Sequence, residues 1–144
     1  MVKKGKAPRI APDEYRKALQ KTELESIMLD SCSVKTNRDK ISANMKLDIR
    51  HKATYSIQEK TSAVITSSYN LVVATTTTRK DFALKIAGKY SLLLTSEEAI
   101  SEDFIEVFVK INVQMNTWPY FRELVQNMVQ RAGLPPLTLP LLKR

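Results

Sequence analysis

The chain has 144 residues, of which 43% are hydrophobic and 26% charged, which is the composition of a folded single domain. One cysteine, Cys32, and one histidine, His51, exclude an internal disulfide framework and a Cys/His zinc site. The three glycines are too few and too far apart for a phosphate-binding loop. We therefore expect one domain that needs no metal, cofactor or ATP and that works in a reducing compartment such as the cytoplasm.

The charge balance suggests one possible partner. Lysine and arginine number 23 against 15 acidic residues, a net charge of +8, and a basic chain can bind the phosphates of nucleic acid. Beyond a cluster in the first nine residues, however, the basic residues are scattered singly or in pairs through alternating segments, as is typical of the solvated face of strands. A basic nucleic-acid-binding module is therefore kept as an alternative and is not the favoured interpretation.

The N-terminal region predicts a tail followed by a short helix. Residues 1–11 are basic and without period, which predicts a flexible basic tail, and residues 12–144 form the predicted single domain. Prolines and charges over residues 7–20 exclude the apolar core of a secretion signal, and no stretch has the roughly 18 apolar residues that span a membrane. Pro12 suits the first turn of a helix whose apolar stripe includes Tyr15 and Leu19.

The middle of the chain predicts an antiparallel sheet. Residues 24–34 indicate a strand whose apolar parity changes midway, which predicts either a β-bulge or a strand covered on both faces. Turn and charge signals over 35–44 predict a connecting loop. Apolar and polar residues then alternate in three successive segments, which predicts a meander with one apolar and one solvated face. These segments are 45–57, 65–73 and 82–94, with a turn at 79–81 before the last.

The C-terminal third predicts helices and an apolar tail. Alternation over 104–115 suits a strand as well as a helix. Asn116 or Thr117 can cap a helix that has Pro119 in its first turn, and Gly133 predicts the end of that helix. The tail beyond is rich in leucine and adds more apolar surface than a chain of this length buries alone. That surplus predicts either an interface between identical copies or a groove for extended peptides.

The sequence offers no catalytic constellation. His51 lies on the apolar side of a predicted strand, which favours a role in the core or an interface. Cys32 has no second cysteine or histidine near it in sequence and is predicted to be a buried thiol. We therefore predict a protein that is not an enzyme.

Two C-terminal segments carry a resemblance to a known family. Residues 118–123, Trp-Pro-Tyr-Phe-Arg-Glu, and residues 131–140, Arg-Ala-Gly-Leu-Pro-Pro-Leu-Thr-Leu-Pro, resemble the signature of the SecB family of export chaperones and SecB-like proteins. In that family a Pro-Tyr-x-Arg-Glu helix start is followed by a Gly/Pro/Leu tail, and the resemblance extends weakly over about residues 13–142. The matching motif positions, whose implied role is structural, are Pro119, Tyr120, Arg122, Glu123, Gly133, Pro135 and Pro136.

The resemblance implies an α+β domain. Its parts would be a four-stranded antiparallel sheet, a long crossover after the first strand and two C-terminal helices, the first of them over 104–115. Family members assemble as homotetramers, dimers of dimers in which two sheets pair and the shorter helices join the dimers. The implied function is that of an ATP-independent holdase for unfolded or nascent polypeptides, either a preprotein or an antitoxin.

The family's client groove runs between the crossover and the last helix. The positions carried over to it, some on the groove wall and some in the core, are Ile41, Met45, Leu47, Phe121, Leu124, Val125, Met128, Leu134, Leu137 and Leu139. Arg122 and Glu123 would bond the helix to neighbouring backbone. A structural oligomer subunit that binds no client is the remaining alternative.

The chain departs from the export members in charge. Those members are acidic and carry an acidic or polar extension that helps to dock the motor SecA, whereas this sequence is basic and closes with Lys143 and Arg144. The departure speaks against hand-off to SecA. The leucine-rich ending and the N-terminal helix look more like the SecB-like chaperones that protect an antitoxin, or like orphan relatives. The sequence leaves export, antitoxin protection and an orphan role all open.

Overall fold

The computed structural model describes residues 10–75, 81–137 and 139. No helix among these residues has the length and apolar character needed to cross a membrane. In chain order the elements are α1 (Pro12–Gln20), β1 (Thr22–Thr36), a short 3-10 turn (Arg38–Lys40), β2 (Lys46–Glu59), β3 (Ser62–Ala74), β4 (Phe82–Ser96) and α2 (Glu102–Arg131).

The four strands form one antiparallel sheet in the order β1-β4-β3-β2. Strands β2, β3 and β4 are the meander that the alternating segments predict, and β1 pairs with β4 at the far edge. Residues 37–45 must therefore run from one edge of the sheet to the other, and we call this connection the crossover. The predicted α+β architecture with a long crossover after the first strand is confirmed.

A helix covers one face of the sheet, and the other face carries exposed polar residues. Helix α2 packs on β2, β3 and β4, and the side chains beneath it alternate along each strand. Ile65 lies opposite Leu92 and Leu71 opposite Ile86, and all four are fully buried. We call this side the helix face and the opposite side the open face. Exposed lysines such as Lys52 and Lys89 lie on the open face, as the solvated side of the predicted strands requires.

Strand β1 has the irregularity that its parity change predicts. Its register against β4 shifts between Leu24 and Ser26 and again between Leu29 and Ser31. Cys32 departs from its prediction, because its thiol is exposed and not buried. The residue lies opposite Gly88, over which α2 packs so closely that an added Cβ would come within 3.0 Å of the Leu124 side chain. The helix covers β4 at this level and leaves the edge strand open.

The C-terminal region is one continuous helix, so the prediction of two helices is wrong. Ser101 caps α2 by accepting a hydrogen bond from the Phe104 amide at 3.1 Å, and Pro119 lies in the helix interior. Thr117 does not act as a cap, because its hydroxyl donates to the Val113 carbonyl at 2.8 Å and points into the core. Buried side chains continue through Pro119 on both sides, and this packing holds the helix together across the proline.

The end of α2 follows its prediction. Gly133 has a φ of 70°, a left-handed conformation that glycine adopts without steric cost. The Leu134 amide then donates to the Val129 carbonyl at 3.1 Å, which closes the last turn. The chain leaves the helix at this glycine and continues as an extended tail.

Helix α1 docks on the first half of α2. The ring of Tyr15 lies 5.2 Å from that of Phe104, its hydroxyl donates to the Asn112 side chain, and burial raises the pKa of Tyr15 to about 12. Ile10, before the start of α1, also packs against the core. The rest of the predicted tail, residues 1–9, lies outside the described residues, as do Arg79 and Lys80 of the predicted turn.

Candidate functional site

An apolar groove of about 310 Å³ lies at one end of the sheet, between the crossover and the tail that follows α2. We call it the crossover groove. The exposed Leu47, with 42% of its surface accessible, lies at the start of β2 within it. Its lining residues are Ile41, Ser42, Ala43, Met45, Leu47, Val73, Ala83, Leu84, Val129, Leu134, Pro135, Pro136 and Leu137.

The crossover wall of this groove is held at its first residues. The Asn37 amide donates to the Ala83 carbonyl at 2.8 Å, and the Arg38 guanidinium donates to the Ala132 carbonyl. Lys40 forms an ion pair with Asp81 at 3.0 Å, and this hydrogen bond, with the charge of Asp81, raises the pKa of Lys40. These contacts tie the crossover to the start of β4 and the end of α2, and they fix the position from which residues 41–45 continue along the groove.

The tail wall is tied back to α2 by Arg122, a residue of the 118–123 motif. Its Nε donates to the Leu139 carbonyl at 2.8 Å, and the Leu139 side chain is 1% exposed. Leu134 and Leu137 are half-buried against the core, while Pro135 and Pro136 are exposed. Glu123 makes a different contact from the one predicted, since its carboxylate accepts from the Asn127 amide on the same helix at 3.5 Å.

The structure divides the predicted groove residues into two groups. Five of them, Ile41, Met45, Leu47, Leu134 and Leu137, line the crossover groove. The others lie in or against the core beneath the sheet, with exposed fractions of 7% or less for all but the half-buried Met128. These core residues are Phe121, Leu124, Val125, Met128 and Leu139.

Several groove residues carry no functional signal in the sequence. Val73 and Leu84 are directly opposite each other on β3 and β4 and form the floor of the crossover groove. Their parity predicts the apolar face of a strand, but only the strand register and the path of the crossover show that they border an opening.

A second groove of about 380 Å³ lies between α1 and α2. Tyr15 and Leu19, which the sequence places on one stripe of α1, form part of it, and the exposed Ile111 forms part of the α2 side. Its lining residues are Ile10, Pro12, Tyr15, Arg16, Leu19, Val107 and Ile111.

A polar cluster is buried under the middle of α2. The hydroxyl of Thr117 lies 3.1 Å from that of Ser67 and 2.7 Å from that of Tyr69, and His51 Nε2 lies 2.7 Å from the Ser67 hydroxyl. The members satisfy one another's hydrogen bonds, so the cluster stabilises the contact between helix and sheet. Among the described residues no three His, Cys, Asp or Glu side chains come together in a way that could hold a metal ion.

We predict that His51 makes folding stability depend on pH. Burial lowers the pKa of its imidazole below the ordinary 6.5, so the unfolded chain takes up this proton at a higher pH than the folded chain does. The stability is therefore fully present above pH 6.5 and declines as the pH falls through the folded pKa. Urea unfolding at pH 8 and pH 5 should show a smaller pH difference for His51→Gln than for the wild type; equal differences would contradict the prediction.

Comparison with known proteins places this geometry in a known fold. No protein-family model matches the sequence, and none of the curated proteins does. The chain is similar in structure to Rv1957 of Mycobacterium tuberculosis, a SecB-like chaperone solved in complex with a ChAD peptide from the Rv1956 HigA1 antitoxin. The TM-score is 0.75 at 19% identity, over 90% of this chain and 97% of that one. A protein of unknown function from Streptococcus agalactiae has a TM-score of 0.46 at 13% identity, over 83% of this chain and 96% of that one. The described residues therefore have the fold of a SecB-like chaperone.

Proposed function

We propose that the protein is an ATP-independent chaperone that holds unfolded or nascent polypeptides in the crossover groove. The observation that carries the proposal is the groove itself, an apolar opening already formed between the crossover and the tail. The chain also shares its fold with a SecB-like chaperone whose structure was solved in complex with a peptide, which supports the same function. Reversible holding of a client makes and breaks no covalent bond. The function that we propose is therefore not an enzymatic one.

The lining of the groove suits clients of varied sequence. Burial of apolar surface is non-directional, so it does not require one particular client sequence. Met45 adds an unbranched, polarisable side chain that adapts to different neighbours. Leu47 and the two prolines are exposed in the free protein, so an extended segment can reach them without prior unfolding of the domain.

Suppression of aggregation tests this function. The purified protein, without nucleotide, is expected to lower the light scattering of a chemically unfolded client in proportion to its concentration. The control is an equal mass of a folded protein with no chaperone activity. Scattering curves that stay unchanged at a molar excess of the protein would contradict the proposal.

We propose an antitoxin as the favoured class of client. The neighbouring chaperone was solved with a peptide from an antitoxin, and the basic charge of this chain speaks against docking to SecA. A preprotein is the second candidate, and either would be met in the cytoplasm.

We also propose a homo-oligomer, a dimer of dimers. Met28 and Leu29 are exposed on the edge strand β1, and Ile111 and Met115 are exposed on α2. Apolar residues at an unpaired strand edge and on a helix are typical of surfaces that a second copy covers. Light scattering is expected to give four times the chain mass of 16.4 kDa, and a mass of one chain would contradict the proposal.

A further inference from the structure

The scattered basic residues of the sequence come together on the open face. Lys52 on β2 and Lys89 on β4 both lie opposite Ser68 of β3, and Arg50 is two residues from Lys52 on the same strand. Lys85 lies opposite Lys35 of β1. Strand pairing thus collects cations from three strands on one half of this face. We call the set Lys35, Arg50, Lys52, Lys85 and Lys89 the basic half.

Little negative charge balances the basic half. Two acidic residues lie near these cations: Asp48, opposite Val72 and 3.4 Å from Arg50, and the exposed bulge residue Asp30, which precedes Ser31 opposite Lys89. None of the four lysines forms an ion pair with a carboxylate of the described residues. Glu23 on β1 and Glu59 on β2 lie at the opposite end of the sheet, on one line of directly opposed residues across the four strands. Among the described residues the open face is therefore polarised, with an excess of positive charge at this end.

The spacing of the cations matches a polyanion. Lys85 and Lys89 are four positions apart on β4, or about 13 Å along the strand, and two strand spacings separate Lys89 and Lys52, or about 10 Å. A duplex presents about eight phosphate charges over 13 Å of its axis. The basic half can therefore contact several phosphates of one duplex at the same time.

We propose that the basic half binds the phosphate backbone of double-stranded nucleic acid without reading its sequence. Ser31, Ser68 and Asn70 lie between the cations and offer the hydroxyl and amide donors that phosphate contacts use. In the described part of this half the one aromatic ring is that of Phe82, with the Lys85 ammonium 4.9 Å from its centroid. The bases of a single strand bind by stacking on aromatic rings, so a surface with one such ring favours a duplex over a single strand.

An acidic protein is a weaker match for the same surface. Stable protein interfaces depend on apolar and aromatic anchors at their centre. The exposed apolar side chains of the open face, Met28 and Leu93, lie outside the basic half and toward the acidic end. The basic half offers cations and small polar donors, which suffice for phosphate.

The test measures binding of the full chain to a 20-base-pair duplex of mixed sequence by fluorescence anisotropy. The double variant Lys52→Gln with Lys89→Gln removes two cations of the basic half. The matched control, Lys60→Gln with Lys110→Gln, removes two exposed cations from the β2–β3 turn and from α2. Both variants keep the N-terminal lysines, so a difference between them reports on the open face alone.

We expect the Lys52/Lys89 variant to bind the duplex at least about tenfold more weakly at 0.1 M salt than the control does. Its plot of log K against log salt should be shallower by about two, because two phosphate contacts are lost. Equal affinities and slopes for the two variants would overturn the proposal. It would also be overturned by a poly-glutamate peptide that binds the wild type while the duplex does not, which would identify an acidic protein as the partner.

Discussion

Leu47→Asp is expected to remove most of the protein's capacity to hold an unfolded client while leaving its fold intact. A client that buries this leucine gains about 1.5–3 kcal/mol, so loss of the contact weakens binding by roughly ten- to a hundredfold. The new carboxylate adds a desolvation cost to any client that still enters the groove. Because Leu47 is 42% exposed, the fold loses only part of a leucine's burial, and the free energy of unfolding should fall by about 1–2 kcal/mol. Suppression of client aggregation and urea unfolding measure the two effects.

Leu93→Asp is the matched control for this variant. Leu93 is also an exposed leucine in a strand, with 37% of its surface accessible, but it lies on the open face and outside the crossover groove. The same substitution there should leave client holding near the wild-type level. Equal losses in the two variants would show that general hydrophobicity, and not the crossover groove, holds the client.

Phe121→Ala is expected to lower the free energy of unfolding by about 3–5 kcal/mol. The Phe121 ring is fully buried and stacks on that of Tyr69, with centroids 4.5 Å apart and planes 10° from parallel. It also covers Gly88, where an added Cβ would lie 3.3 Å from the ring. Truncation therefore leaves a cavity where helix, β3 and β4 meet. Urea unfolding of the purified variant measures the loss.

The adjacent residue provides the control for this second prediction. Tyr120 is 51% exposed and contributes only a ring 6.5 Å from that of Tyr90, so Tyr120→Ala should cost less than about 1 kcal/mol. A Phe121→Ala protein as stable as the wild type but unable to hold client would contradict the assignment of Phe121 to the core and would place it on the groove wall.

Local patterns predicted most of the sheet because they depend on neighbours in sequence. Alternation marks β2 and β4, the parity change marks the bulges of β1, and Gly133 marks the end of α2. The predicted helix start near Pro119 was wrong because helix propensity includes the hydrogen bond that a proline removes. It does not include the buried side chains on both sides of Pro119, which stabilise one continuous helix. The prediction of a buried Cys32 thiol was wrong because the alternation along a strand shows which face a residue lies on, but not whether a helix covers that face.

The candidate site was predictable only in part for the same reason. Phe121, Val125 and Met128 share one helical stripe, and a stripe predicts an apolar face without telling whether sheet or solvent lies against it. The crossover and tail leucines lie near each other only because the crossover passes the end of α2. The basic half of the open face likewise depends on strand register, which no single segment of the sequence contains.

Methyl NMR of the protein with a bound unfolded client tests most directly where clients are held. The predicted result is intermolecular contacts from the client to the methyl groups of Met45, Leu47, Leu134 and Leu137, which line the crossover groove. The methyl groups of Met28 and Leu93 on the open face should show none. Contacts to Met28 and Leu93 with none to the groove methyls would contradict the proposed client site.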